Sequence, residues 1–336
     1  MIELLVLTIA MALVFDFLNG FHDSANSIST VVATRVLTPM QAVSMAAVGN
    51  LIGPLFFTTA IAATIGKGII DTAAISSALP PEAFVVMILS ALAGAIVWNI
   101  LTWYFGIPVS SSHALVGGLI GAALAAVGTG VLLYDGITKV LVFIVVSPLL
   151  GFLTSIVSAL IVMRIFRDFT PAKINGWFRK LQLLSAFFYS VTHGTNDAQK
   201  TMGIITILLV ASGFLADFTV PLWVILVCHI SICLGTWLGG WRIVKTMAHK
   251  ITRLRPYQGF CAETAGGGVL VLMASYGIPV STTHAIAGAI MGVGSMEEPK
   301  SVRWGVSRNI FLAWVITIPF SAAVAWIAYA ILHAVI

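Results

Sequence analysis

The chain has 336 residues, of which 59% are hydrophobic and only 9% charged, against roughly 25% charged in an ordinary soluble domain. That balance excludes a soluble globular fold, and the formal charge of +5 sits in short loops between apolar stretches, so it indicates membrane orientation and not a nucleic-acid partner. Cys228, Cys233 and Cys261 show no CxxC pairing and lie in apolar surroundings, so they read as small buried hydrophobes, with neither a disulfide framework nor a metal site expected.

Taken in chain order, apolar stretches near residues 2–22, 41–65, 83–105, 109–130 and 138–163 precede a polar stretch, and five more follow near 182–214, 219–244, 260–276, 280–296 and 308–335. Crossing a hydrocarbon core of about 30 Å takes about 20 residues. The pattern predicts an all-α polytopic membrane protein with about five segments in each half. The expected division is 1–163 for the first transmembrane repeat, 164–181 for a cytoplasmic linker and 182–336 for the second repeat. Residues 1–20 open with Glu3 in place of a basic n-region, so no cleavable signal peptide is expected. Gly, Ser and Thr are dense in the motif-bearing segments, which predicts broken or re-entrant helices.

Basic residues concentrate in two loops, one with Arg164, Arg167, Lys173, Arg179 and Lys180, the other with Arg242, Lys245, Lys250, Arg253 and Arg255. The positive-inside rule places both in the cytoplasm, two crossings apart. Counting outward from them leaves both termini outside. With an odd number of crossings per half, the second half enters the membrane with the opposite orientation, which predicts two inverted-topology repeats.

The repeat is also visible in the letters. Gly106-Ile-Pro-Val-Ser-Ser-Ser-His-Ala114 returns 171 residues later as Gly277-Ile-Pro-Val-Ser-Thr-Thr-His-Ala285. Gly20-Phe-His-Asp-Ser-Ala-Asn26 is answered, 174 residues later, by Gly194-Thr-Asn-Asp-Ala-Gln-Lys200. Two motifs in the same order at nearly the same separation point to duplication.

Each Gly-Ile-Pro turn leads through three hydroxyl residues, Ser110, Ser111 and Ser112 or Ser281, Thr282 and Thr283, into an apolar helical run. This is the signature of a helix N-terminus, whose free N–H groups and dipole suit an anion. A single such triplet reads first as a cap or as interhelical glue; a symmetric pair reads as a site for one tetrahedral oxyanion. Asp23 and Asp197 fall in or beside apolar segments, where an ionised carboxylate is costly unless paired or bound to a cation. Asn26, Asn196 and Gln199 add neutral oxygens near them, so a proton or Na⁺ site is expected at each carboxylate. A carboxylate acceptor also favours hydrogen phosphate, which keeps a donor O–H, over sulfate, which has none.

Lys200 stands where the first half has Asn26, and its ammonium has two open roles: pairing with the anion or balancing Asp197. His22 beside Asp23 is a candidate for the coupling-ion site, although a lone histidine reads first as a hydrogen-bonded structural group. His113 and His284 follow the triplets symmetrically and read as supports of the helix termini. Asp16, His193, His229 and Glu263 are intramembrane ionisable residues without an assigned role.

At these residues the sequence resembles the inorganic phosphate transporter (Pit) family, whose duplicated motif has the form Gly-x-Asn-Asp-x-x-Asn, and the resemblance spans essentially the whole chain. His22 and Lys200 depart from that form in the manner of the bacterial low-affinity branch. The resemblance implies a symporter of the bacterial inner membrane that takes up inorganic phosphate, often as a neutral metal-phosphate complex, and that forms homodimers. In that branch protons are favoured over Na⁺ as the coupling cation, and no other cofactor is implied. It places Asp23, Asn26, Asn196 and Asp197 at a central site, with Ser110 to Ser112 and Ser281 to Thr283 holding phosphate. The competing readings are a sulfate permease of the same fold, a passive channel, and an intramembrane enzyme. The last lacks any zincin, P-loop or nucleophile-elbow pattern.

Overall fold

The structure is a computed structural model that describes residues 1–55, 59–296 and 299–335. Within them every regular element is helical, apart from an isolated antiparallel bridge between Ile70 and Leu132. The first half comprises α1 (Ile2–Ala33), α2 (Pro39–Ile52) with a short 3-10 turn after it, α3 (Ala60–Gly68), α4 (Thr72–Ala78), α5 (Pro81–Phe105), α6 (Ser111–Ala126) and α7 (Tyr134–Ile165). The second comprises α8 (Pro171–Ala211), α9 (Leu222–Leu238), α10 (Trp241–His249), α11 (Pro256–Ser275), α12 (Thr282–Ser295) and α13 (Trp304–Val335).

By length and composition, α1, α5, α7 and α13 are each able to cross a membrane. Two bent pairs pass the same test together: α2 with α3, at 86°, and α9 with α10, at 68°. These are fewer full spans than ten apolar stretches suggest, for two physical reasons. Helices α6 and α12 have 16 and 14 residues, about 24 and 21 Å at 1.5 Å per residue, which is short of a hydrocarbon core of about 30 Å, and their first turns are buried. Helices α8 and α11, at 41 and 20 residues, are long enough, but polar residues interrupt them, the duplicated motif in α8 and Gln258 and Glu263 in α11.

Two boundaries differ from the hydropathy reading. Helix α1 continues past residue 22 to Ala33, so the Asp23 motif lies within a helix and not at its end. Helix α8 starts at Pro171, in the stretch read as a linker, with proline in the first turn where its missing N–H costs nothing. Hydropathy falls at both motifs because their residues are polar, yet the helices run on because the interior supplies partners.

The halves pack by exchange. Helix α6 lies against α13, and α12 lies against α7. Glycine makes both approaches possible: a Cβ on Gly121 would sit 2.0 Å from the Ala322 carbonyl oxygen, and one on Gly292 would sit 2.2 Å from Ser155 Oγ. Large apolar side chains of α7 and α13, including Leu141, Leu149, Leu312 and Ile316, remain exposed, as lipid-facing helices require. Cys228 and Cys261 are buried and Cys233 is half-buried, all three as free thiols.

Candidate functional site

The two Gly-Ile-Pro turns share one local geometry. Gly106 and Gly277 adopt φ of +66° and +64°, a left-handed conformation that closes the preceding helix and suits glycine. Ser110 then caps α6 by accepting from the His113 N–H at 3.2 Å, and Ser281 caps α12 by accepting from the His284 N–H at 3.2 Å. The first hydroxyl of each triplet is therefore a cap, leaving the next two for other work. The termini lie side by side, with the His113 and His284 rings 4.8 Å apart edge-on.

The turns are held from the opposite half. Thr246 of α10 donates to the Gly106 carbonyl at 2.8 Å, while Thr64 of α3 donates to the Gly277 carbonyl at 2.7 Å. The α3 and α10 N-termini are in turn capped by the motif helices: Gln199 Oε1 accepts from the Ile61 N–H at 2.9 Å, and Ser24 Oγ from the Gly240 N–H at 2.7 Å. Gln199 is thus turned to α3 and away from the carboxylates.

Around the α12 terminus the motifs of both halves meet. Asn26 Nδ2 donates to Thr283 Oγ1 at 2.9 Å and to Thr282 Oγ1 at 3.3 Å. The Thr282 hydroxyl donates to Asp197 Oδ2 at 3.2 Å, and the Thr283 hydroxyl approaches Asp23 Oδ2 at 3.4 Å and the Val109 carbonyl at 3.0 Å. Adjacent hydroxyls of one helix terminus therefore reach one carboxylate from each half. Ser111 and Ser112 are buried, and the Ser111 hydroxyl has no partner among the described residues. The α6 terminus joins the centre through Val109.

His22 Nδ1 lies 2.7 Å from Asp23 Oδ1, and its Nε2 lies 3.2 Å from Thr102 Oγ1. Lys200, buried with Asp197, places its ammonium on Asp197 Oδ1, so of its two open roles the structure displays the balancing of Asp197. Asn196 donates to the Thr192 carbonyl at 2.8 Å. The side-chain oxygens of Asn26 and Asn196 are buried without partners among the described residues. The centre thus holds unspent acceptors beside two carboxylates, an arrangement that suits a cation or the O–H of a bound acid.

Sequence reasoning gave His193 no role, but it belongs to this centre. Its Nε2 lies 3.2 Å from Asp197 Oδ2, and one ligand atom each from Asp23, His193 and Asp197 fall within 4.8 Å of one another. The far side of its ring is fixed by a chain of bonds. Thr236 donates to the Gly20 carbonyl at 3.2 Å and so accepts from Asn50 Nδ2 at 2.7 Å, which turns Asn50 Oδ1 toward His193 Nδ1 at 3.3 Å. The signal was present in the letters: four residues separate His193 from Asp197, one helical turn on the same face. Tyr189, another residue missed, donates to the Thr282 carbonyl at 3.0 Å.

These features define an all-helical, multi-pass membrane protein with a polar, charge-bearing centre sealed where its two halves meet. The sequence pattern of the Phosphate transporter family matches residues 19–174 and 167–325, and the chain belongs to that family, as the motifs indicate. It is 52% identical over 327 residues to a probable low-affinity inorganic phosphate transporter of Rhizobium meliloti (strain 1021), covering 97% of this chain and 96% of that one. A protein of the same description from Bacillus subtilis (strain 168) is 44% identical, with 98% of each chain covered. A solved structure described as the sodium-dependent phosphate transporter superposes with a TM-score of 0.88 at 25% identity, covering 99% of this chain and 100% of that one. The family's function is transport and not enzymatic catalysis.

Proposed function

We propose that the protein is a symporter that takes up inorganic phosphate across the bacterial inner membrane, driven by a cation gradient in which protons are favoured over Na⁺. The observation that carries this reading is the pair of hydroxyls on the α12 terminus, Thr282 on Asp197 and Thr283 near Asp23. A terminus suited to an oxyanion and two carboxylates suited to a cation occupy one buried centre, so occupancy by either ion lowers the cost of the other. Ser111, Ser112, Thr282, Thr283 and Asn26 are assigned to the anion, and Asp23, Asp197, Asn196 and His22 to the coupling ion, while Ser110 and Ser281 cap their helices, Gln199 holds α3 and Lys200 balances Asp197. Hydrogen phosphate is preferred over sulfate because its O–H finds an acceptor there. A divalent ion travelling with the phosphate would find ligands in Asp23, His193 and Asp197.

Transport proceeds by alternating access between two halves of opposite orientation, residues 1–163 and 182–336, with both termini outside. The exchanged contacts support the inversion, since Thr64 and Thr246 make the same bond to the turn of the other half. The functional unit is a homodimer.

The test is phosphate uptake into vesicles with Na⁺ and pH gradients imposed separately, repeated for Asp23→Asn and Asp197→Asn. Loss of gradient-driven uptake in both variants is expected. Normal uptake in both removes the site, and uptake that sulfate abolishes while arsenate leaves it untouched removes phosphate as the substrate.

A further inference from the structure

Asp16 is fully buried in α1 and contributes to none of the contacts above. Its Oδ1 accepts from the Thr201 hydroxyl of α8 at 2.9 Å, and its Oδ2 has no partner among the described residues. No cationic side chain pairs with it there. A carboxylate in hydrocarbon surroundings with one neutral donor needs a cation, and the smallest that fits a closed interior is a proton.

Position gives this carboxylate a task. Along α1, Asp16, Asn19 and the His22–Asp23 pair recur at three- to four-residue spacing and so share one helical face. Asn19 is 1% exposed, and neither of its side-chain polar atoms has a partner among the described residues. Along α8 the order is Asp197, Thr201 and then Ile207, Val210 and Ala211, three wall residues of a cavity of about 640 Å³. At 1.5 Å per residue, Thr201 stands about 6 Å along the axis from Asp197 and about 9 Å from Ile207. Along the α8 axis Thr201, which holds Asp16, therefore falls between Asp197 and the wall residues of this cavity, which exposed Lys67 and Asp217 also line.

The charged and titratable groups facing Asp16 are few. Helix α8 presents Lys200 and Asp197, and α9 presents Cys228 with His229 next to it in sequence, while on α1 itself the next titratable groups are His22 and Asp23, about two turns on. Helix α5, also packed on α1, carries ionisable groups only near its ends, at Glu82 and Tyr104. Lys200 is committed to Asp197, which leaves Asp16 without a permanent counter-charge.

We propose that Asp16 binds the coupled proton at Oδ2 and holds it while phosphate occupies the centre. This rests on the proton-coupled reading above and adds Asp16 to Asp23 and Asp197 as a further station for the coupled proton, outside the anion centre. The bound proton completes the unpaired oxygen of Asp16 as an O–H and offsets one negative charge brought in by the anion.

The test uses purified protein in proteoliposomes, comparing net phosphate accumulation under an imposed inward proton gradient with phosphate–phosphate exchange, which moves no net proton. Asp16→Asn, whose amide cannot take up the proton, is expected to lose accumulation and keep exchange, and Asp16→Glu to recover accumulation. Asp16→Asn accumulating phosphate as the wild type does overturns the proposal. Should Asp16→Asn lose exchange as well, Thr201→Val decides: it removes the hydroxyl on Asp16, so the pH profile of net uptake must shift with exchange intact, and an unmoved profile overturns the proposal. A wild-type protein that exchanges phosphate but ignores the proton gradient and follows Na⁺ overturns it together with proton coupling. A wild-type protein without exchange overturns the phosphate reading itself.

Discussion

The Asn26 amide donates to Thr283 Oγ1 at 2.9 Å across 257 residues of sequence, joining the carboxylate motif of one half to the helix terminus of the other. Both groups are buried, so removing the amide leaves the two threonine hydroxyls short of a donor at a cost of about 1–3 kcal/mol. Asn26→Ala is expected to lower the thermal stability of the detergent-solubilised protein and to raise the KM for phosphate more than it lowers kcat. A variant with wild-type KM and melting temperature would show that this bond does not organise the centre.

Much of that centre was legible in the letters. Asp23, Asp197 and the hydroxyl triplets were marked by repetition, and repetition survives without any knowledge of packing. Gln199 was grouped with Asp197 because it is two residues away, but two residues on a helix turn the side chain by about 200°, so it faces α3 instead. Asn50 had no signal of its own. It matters because α2 brings it between Thr236 and His193, a placement that only tertiary structure supplies. The extent of α1 and α8 was hidden for a related reason: hydropathy counts a buried, partnered polar residue as if it faced water or lipid.

Lys200 and Asp197 form a buried ion pair one helical turn apart, with His193 and Thr282 on the second carboxylate oxygen. Removing one partner of a buried pair strands the other charge at a cost of about 3–5 kcal/mol, whereas removing both relieves it. Lys200→Met is therefore expected to destabilise strongly, and Lys200→Met with Asp197→Asn to recover much of the loss without recovering uptake. Thermal unfolding of the two variants checks this, and equal melting temperatures would refute the pairing.

The exchange of helices between halves depends on absent side chains. A Cβ at Gly121 meets the Ala322 backbone and one at Gly292 meets α7, so Gly121→Ala and Gly292→Ala should each cost about 1–3 kcal/mol through overpacking. Gly305, with nothing within 4 Å of a built Cβ, serves as the control: Gly305→Ala should stay within about 0.5 kcal/mol. The comparison is of melting temperatures, and a control as damaging as the test pair would discount the contact argument.

The bonds from Thr246 to Gly106 and from Thr64 to Gly277 offer the sharpest check on alternating access. Each is worth about 0.5–1.5 kcal/mol, and a change of 1.4 kcal/mol alters a two-state ratio about tenfold. If the halves have opposite orientations, these bonds fasten equivalent turns toward opposite faces of the membrane. Thr246→Val should then bias the protein toward opening on one side, and Thr64→Val should bias it toward the other. Side-specific labelling of a cysteine introduced near each turn measures this bias. Shifts of opposite sign are the expected result, because each valine keeps the packing and deletes only the hydroxyl that ties one half's broken span to the other half's helix terminus. Shifts of the same sign would mean that the two bonds fasten one face together, which an inverted arrangement does not permit.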